Sequence, residues 1–335
     1  MTTAKELTEH IAQQVHRFRN PSDGSFCYRR DGQAPSSLAA SCDAALCLYC
    51  IDELPEAERQ GRAGYVNSFQ DEQTGWFRDE RSNWTPGRQK PWLLGMALRA
   101  LNALDAQPAF PARFLRAWEN PEGMREWIRS GKDLMHLAII WFRSGRRHYP
   151  FDGFERLFFE TLAECRKRFT PDRPAFAAAL AQHNAATGRL ILKDAFHDLF
   201  AWYAAGRDIP GKELYIDWFL NEQDADGLFF QQGGSPAYSH MDGLQLLVEF
   251  SQRTDYRHEE CLAAVERGLS AVLSENRFPV VWEPDSIHHL LARCETVAQA
   301  VRVLPGHPMA QSRWNCVWDL DMWRLEPAHF DTLCA

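Results

Sequence analysis

What most limits the fold of this chain is a repeat. A loop of the form Asn/Gln/Asp-x-x-x-Gly-aromatic recurs along it: NPSDGSF ending at Phe26, QDEQTGWF ending at Phe77 and NEQDADGLFF ending at Phe230, with HNAATGRLI ending at Ile191 as a looser copy. Each is preceded by an amphipathic stretch such as GYVNSF or LYIDWFL. Each is followed, after a polar stretch of variable length, by a segment rich in Ala and Leu. These segments read SCDAALCLYCIDEL, PWLLGMALRALNAL, KDLMHLAIIWFRSG, KDAFHDLFAWYAAGRD, MDGLQLLVEFSQ and HHLLARCETVAQAVRV, and begin near positions 41, 91, 132, 193, 241 and 288. The period of roughly fifty residues is one helical hairpin per repeat.

Apolar residues in these segments follow helical spacing: Leu94, Leu98 and Leu101 in one, Phe196, Phe200 and Tyr203 in another. Several are apolar nearly all round, as helices buried on both sides are. Strand-like alternation is confined to FPVVWE near Trp282. The pattern predicts an all-α chain, one domain over 1–335, folded as an (α/α)6 toroid of about six hairpins. The Ala-rich second helices form the inner ring and the amphipathic first helices the outer one. Closing the ring buries the terminal hairpins against each other, whereas an open solenoid needs capping repeats. Residues 108–130 and 305–318 read as irregular insertions.

Composition sets the remaining limits. The 335 residues are long for one domain, but a ring grows its core with each hairpin, and 45% hydrophobic residues supply one. No run of apolar residues is long enough for a membrane span. The start, MTTAKELTEHIAQQVHRF, is polar and amphipathic rather than a secretory signal, so a cytoplasmic location is expected. A net charge of −8 with no basic stripe argues against a nucleic-acid partner. Of the nine cysteines, Cys42, Cys47 and Cys50 fall in one apolar helix and read as reduced core residues. The twelve tryptophans read first as core and hairpin packing.

Two units of the repeat carry a further likeness. RAGYVNSFQDEQTGW sets Arg62 and Ala63, then Tyr65 and Val66, then Gln70, then Gly75 and Trp76. WFLNEQDADGLF sets Trp218 and Phe219, then Gln223, Gly227 and Phe229. This scheme resembles the QW repeat of the terpenoid cyclases and protein prenyltransferases, the α/α-toroid superfamily. It makes physical sense: the Gln amide meets backbone groups at a helix end, the Gly takes positive φ, and the aromatic ring packs under the next helix. The resemblance implies the toroid fold and an apolar, isoprenoid-like substrate. The nearest string to the superfamily's proton-donating DxDD motif is Asp319-Leu320-Asp321-Met322, which lacks the final acid, and its zinc-binding Asp-Cys-His set has no counterpart. A second passage, DADGLFFQQGGSPAYSHMDGL, resembles the heparinase-type polysaccharide lyases, also helical toroids. There Tyr238 matches a Tyr that serves as base or acid on a uronic acid, while Lys193 and Asp194 stand where the family has a carboxylate-neutralising Asn.

In a toroid, polar residues at one end of successive inner helices converge. On that reasoning the catalytic candidates are Asp43, Asp194, His197, Tyr238, His240 and Asp242, and the substrate-binding candidates are His136, Trp282, His288 and His289. These are the residue types of general acid–base chemistry. Asp194 and His197 share a helix face, where a carboxylate raises an imidazole's pKa and fixes its tautomer. Each of these residues also has a plainer use, as a helix cap or a satisfied core group. His136, Asp194, His197 and His240 are metal-ligand types, but no local spacing fixes them, and neither a metal nor another cofactor is expected. The partner expected is a small molecule; the oligomeric state stays open. The leading expectation is acid–base chemistry on an isoprenoid or similarly apolar substrate. The alternatives are a carbohydrate lyase or hydrolase, whose paired carboxylates reveal it, and a non-catalytic binding toroid, since a fold does not dictate a function. An apolar lining of the inner helices favours the first; a polar lining favours the second.

Overall fold

The computed structural model describes residues 3–29, 36–79, 89–118, 120–129, 135–144, 153–167, 169–187, 192–229, 236–274 and 286–326. Among these the chain is all-α: thirteen α-helices, no strand, and β-type pairing limited to isolated bridges. All six Ala/Leu-rich segments are helical: α2 (Leu38–Cys50), α4 (Gln89–Ala103), α6 (Met135–Arg143), α9 (Leu192–Ala205), α11 (Pro236–Ser251) and α13 (Ile287–Val303). They alternate with α1 (Ala4–His16), α3 (Glu56–Asn67), α5 (Pro121–Arg129), α7 (Phe154–Cys165) with α8 (Arg173–Thr187), α10 (Lys212–Glu222) and α12 (His258–Leu273). No described helix is long and apolar enough to cross a membrane.

One expectation needs correcting. The stretch 108–130 is not wholly irregular: Pro121 opens α5, which buries Met124 and Ile128 one turn apart. Residues 305–318 do lack an α-helix and hold a 3-10 turn, Pro308–Gln311. The FPVVWE stretch lies outside the described residues.

Local chemistry explains the helix starts. Thr3 and Glu6 form a capping box on α1, whose Leu7, Ile11 and Val15 make one buried stripe. Ser37 caps α2 by accepting from the Ala40 N–H at 3.1 Å. Every residue of α2 but Tyr49 is buried.

The chain divides into two compact units, one of residues 1–56, 182–196 and 211–318, the other of 57–181, 197–210 and 319–335. In the first, α13 packs against both α11 and α2, with α12 covering α11 and α13. Paired contacts fix the directions. Tyr238 meets His288 near the starts of α11 and α13, and Glu249 meets Arg302 near their ends. Asp43 meets His288, and further on the Cys47 and Cys294 thiols share a hydrogen bond. The three helices therefore run parallel. In the second unit α4 packs on α6, and Trp323 lies 5.3 Å from the His136 ring and 5.0 Å from the Arg99 guanidinium.

The repeated loops are built alike. In each, a backbone N–H reaches back across the turn: Asn20 to Ser25, Asp71 to Trp76, Asp224 to Leu228, at 2.7–2.8 Å. The glycines Gly24, Gly75 and Gly227 have φ of 73°, 75° and 85°. At Gly75 a β-carbon would collide with the Pro111 carbonyl, and at Gly227 it would lie 2.6 Å from the Arg267 carbonyl. Glycine is thus required both by conformation and by the approach of the following segment. The QW-type glutamines make that approach specific. Gln70 donates to the carbonyls of Gly75 and Phe110 and accepts from the Phe110 N–H. Gln223 donates to Gly227 and Ala264. Each ties its own loop to a segment about forty residues on, roughly one repeat. The aromatic of the pattern is buried in Phe229 but not in Trp76. In the second loop Phe77 takes the buried place, equivalent to Phe26, and Trp76 lies half-exposed against Phe114 at 4.5 Å.

Candidate active site

Asp43, Tyr238, His288 and His289 come together in the first unit. Asp43 Oδ2 lies 3.0 Å from His288 Nδ1. The Asp43 side chain is fully buried, and its Oδ1 has no hydrogen-bond partner among the described residues. A carboxylate that accepts the Nδ1–H leaves the imidazole lone pair on Nε2, the arrangement of an oriented base. The Tyr238 ring covers the His288 ring, with centroids 4.2 Å apart and planes at 31°. Its hydroxyl donates to the His288 carbonyl at 3.0 Å, so this phenol positions the histidine. The His289 ring lies 6.4 Å from Tyr238.

Tyr28 flanks the pair, its ring 6.3 Å from His288. Burial pushes the Tyr28 phenol above its usual range; the nearby Ser286 hydroxyl works against that and the Asp43 charge adds to it. Tyr28 is placed by the segment after the first repeat loop, whose carbonyl accepts from the Ile287 N–H at 3.3 Å. The first hairpin and the last helix thus build one site.

From this cluster a polar stripe runs along each of the three parallel helices. On α11 it is Tyr238, Asp242, Gln245 and Glu249; on α13, His288, Glu295, Gln299 and Arg302; on α2, Asp43, Cys47 and Cys50. Spacings of three, four and seven residues put each set on one helix face. Asp242, Gln245, Glu249, Glu295 and Gln299 are all buried, where polar side chains are rarely found without a reason. The far end is tied off. Arg302 Nη1 lies 3.6 Å from Glu249 and donates to Gln299, which donates to the Cys316 sulfur. The Asn315 N–H caps the Cys50 carbonyl at 2.9 Å. Cys47 and Cys50 have Cys-x-x-Cys spacing but are free, buried thiols; burial first, then the Cys294 hydrogen bond, pushes Cys47 well up, so it is a packing residue and not a nucleophile.

The other candidates are placed differently. His240 ties the fifth hairpin together: Nδ1 accepts from the Phe229 N–H at 3.4 Å and Nε2 lies 3.2 Å from the Gly268 carbonyl. His136 and His197 belong to the second unit, with rings 6.4 Å apart. Asp194 is on α9, but its side chain, like all of Trp282, lies outside the described residues. Among the described residues no group of three or more His, Cys, Asp and Glu is placed to hold a metal ion. The sequence reading missed Tyr28, Gln245 and Glu295. The last two were visible as polar breaks in apolar helices, seven residues after Tyr238 and His288.

Compared with protein-family models, with curated proteins and with solved structures, the chain matches none.

Proposed function

We propose that this chain is a carbohydrate-active enzyme that works by acid–base chemistry, with the Asp43–His288 pair as its base, on a closed ring of six helical hairpins. The ring is supported by the pairing of α2, from the first hairpin, with α13, from the last, side by side and parallel: closure requires that neighbourhood and an open solenoid forbids it. The observation that carries the functional reading is the buried polar stripe. An isoprenoid bound beside the stripe would leave Asp43 Oδ1 and the Gln245 amide without polar partners, at a cost of about 1–3 kcal/mol for each unsatisfied group. A polyhydroxylated substrate supplies the missing donors and acceptors, and Tyr28 and Tyr238 offer flat faces to sugar rings.

In this reading Asp43 holds the Nδ1–H of His288, and Nε2 takes a proton from water or from the acidic carbon of a uronic acid. Asp242, one turn along α11 from Tyr238, supplies the proton to the departing glycosidic oxygen. Tyr238 fixes the imidazole by stacking on it and holding its backbone.

The test is a substrate comparison. The purified protein is incubated with neutral and uronic-acid oligosaccharides, following new reducing ends and unsaturated products, and in parallel with acyclic isoprenoid alcohols and diphosphates. Cleavage of a sugar polymer supports the proposal. Conversion of an isoprenoid, with every oligosaccharide untouched, overturns it and restores the leading expectation from the repeats.

A further inference from the structure

One cation of α13 lacks a counter-charge. Along residues 287–300 every side chain is buried except those of His289 and Arg293, which solvent reaches in part. They are four residues apart and share a helix face, so this part of α13 opens to solvent along a single strip. The strip borders the Asp43–His288 pair, because the Tyr238 ring that covers His288 also lies 6.4 Å from His289.

Arg293 is the unusual member. Its Nη1 is cut off from solvent without a hydrogen-bond partner, and among the described residues no carboxylate pairs with it. Burial pulls the guanidinium down from its ordinary value to about 10, and the neighbouring Cys294 works against that. Other arginines of the same unit are paired: Arg257 with Asp217 and Glu260, Arg302 with Glu249. A guanidinium held partly out of water with no anion beside it is costly. Its planar fork fits a carboxylate or another oxyanion through two parallel N–H donors. Solvent reaches the residue, so a ligand can reach it too.

We infer that Arg293 is an oxyanion-binding residue: its guanidinium takes an anionic group of a ligand bound on this strip, beside His289. The identity of the ligand rests on the carbohydrate reading and deepens it. On that reading the group is the carboxylate of an acidic sugar unit bound next to the Asp43–His288 pair. The substrate is then an acidic oligosaccharide and not a neutral one, and Arg293 sets that choice.

The test is thermal shift and calorimetry in a phosphate-free buffer. The probes are trigalacturonate, a hyaluronan tetrasaccharide, neutral maltotriose, and inorganic sulfate and phosphate. An acidic oligosaccharide stabilises the wild type and maltotriose does not. Without ligand, Arg293→Met melts at or above the wild type, because an unpaired buried cation gives no stability. It binds the acidic oligosaccharide about tenfold more weakly or worse. Arg293→Lys, which keeps the charge but not the fork, falls between the two. Sulfate or phosphate that binds the wild type but not Arg293→Met, with every sugar unbound, upholds the oxyanion site and sinks the carbohydrate reading. Maltotriose that binds the wild type and Arg293→Met equally, with no anion bound, upholds the carbohydrate reading and sinks the oxyanion site. The inference is also overturned if no anionic probe stabilises the wild type, if Arg293→Met binds them as the wild type does, or if Arg293→Met fails to fold or melts markedly lower.

Discussion

Asp43 and His288 are 245 residues apart in the chain and 3.0 Å apart in the structure. One sits on the first Ala-rich helix and the other at the start of the last. Their meeting makes a buried acid–base pair and joins the first hairpin to the last, so one contact bears on both site and architecture.

The repeat loops give a stability prediction. Gly75→Val combines a positive φ with a collision against the Pro111 backbone, and Gly227→Val does the same against Arg267. Each should lower stability by more than the ~1 kcal/mol that conformation alone imposes, read as a fall in melting temperature. Gln223→Ala, which strands the Ala264 and Gly227 carbonyls, should cost about 1–3 kcal/mol. An unchanged melting temperature in all three variants would show the loops to be surface decoration.

Tyr238 gives a prediction about role. Because its hydroxyl is bonded to the His288 carbonyl, Tyr238→Phe should cost about 0.5–1.5 kcal/mol of stability and leave kcat within about tenfold. If Tyr238 were itself the base, kcat would fall by about a hundredfold or more.

The buried thiols predict the alkaline limit. Burial pushes Cys261 up to about 11 from an ordinary value of 9.0, and Cys47 also titrates well above that value. A group whose folded pKa is raised contributes stability that is complete below the unfolded value and lost as pH climbs through the folded one. The melting temperature should therefore hold to about pH 9 and fall between about 9 and 11. At pH 8 a thiol reagent should leave Cys47 and Cys261 unmodified in the native protein and modify both on unfolding. Rapid native labelling of either would contradict their burial.

Much of the fold was legible because helical period and glycine turns are local. The six Ala/Leu-rich segments are helices, and Gly75 and Gly227 have the positive φ that their loops suggested. The site was legible in part. Asp43, Tyr238, His288 and His289 were marked as polar starts of inner helices, and they meet. His240 was marked by the same rule but turns to the Gly268 carbonyl of α12, because two residues along a helix rotate a side chain by more than half a turn. Gln245 and Glu295 lie deep in apolar helices, where a sequence pattern does not show what surrounds a polar side chain. Trp76 was mistaken for the buried aromatic because adjacent Phe77 matches the pattern equally well.

The central claim is that the Asp43–His288 pair acts as the base on an oligosaccharide. It is tested most directly by measuring the cleavage rate of the best oligosaccharide substrate for the wild type, Asp43→Asn and His288→Gln, all with melting temperatures close to one another. The account predicts that both variants lose about a hundredfold or more in kcat while still binding the oligosaccharide. A variant of either residue that cleaves at the wild-type rate would contradict it.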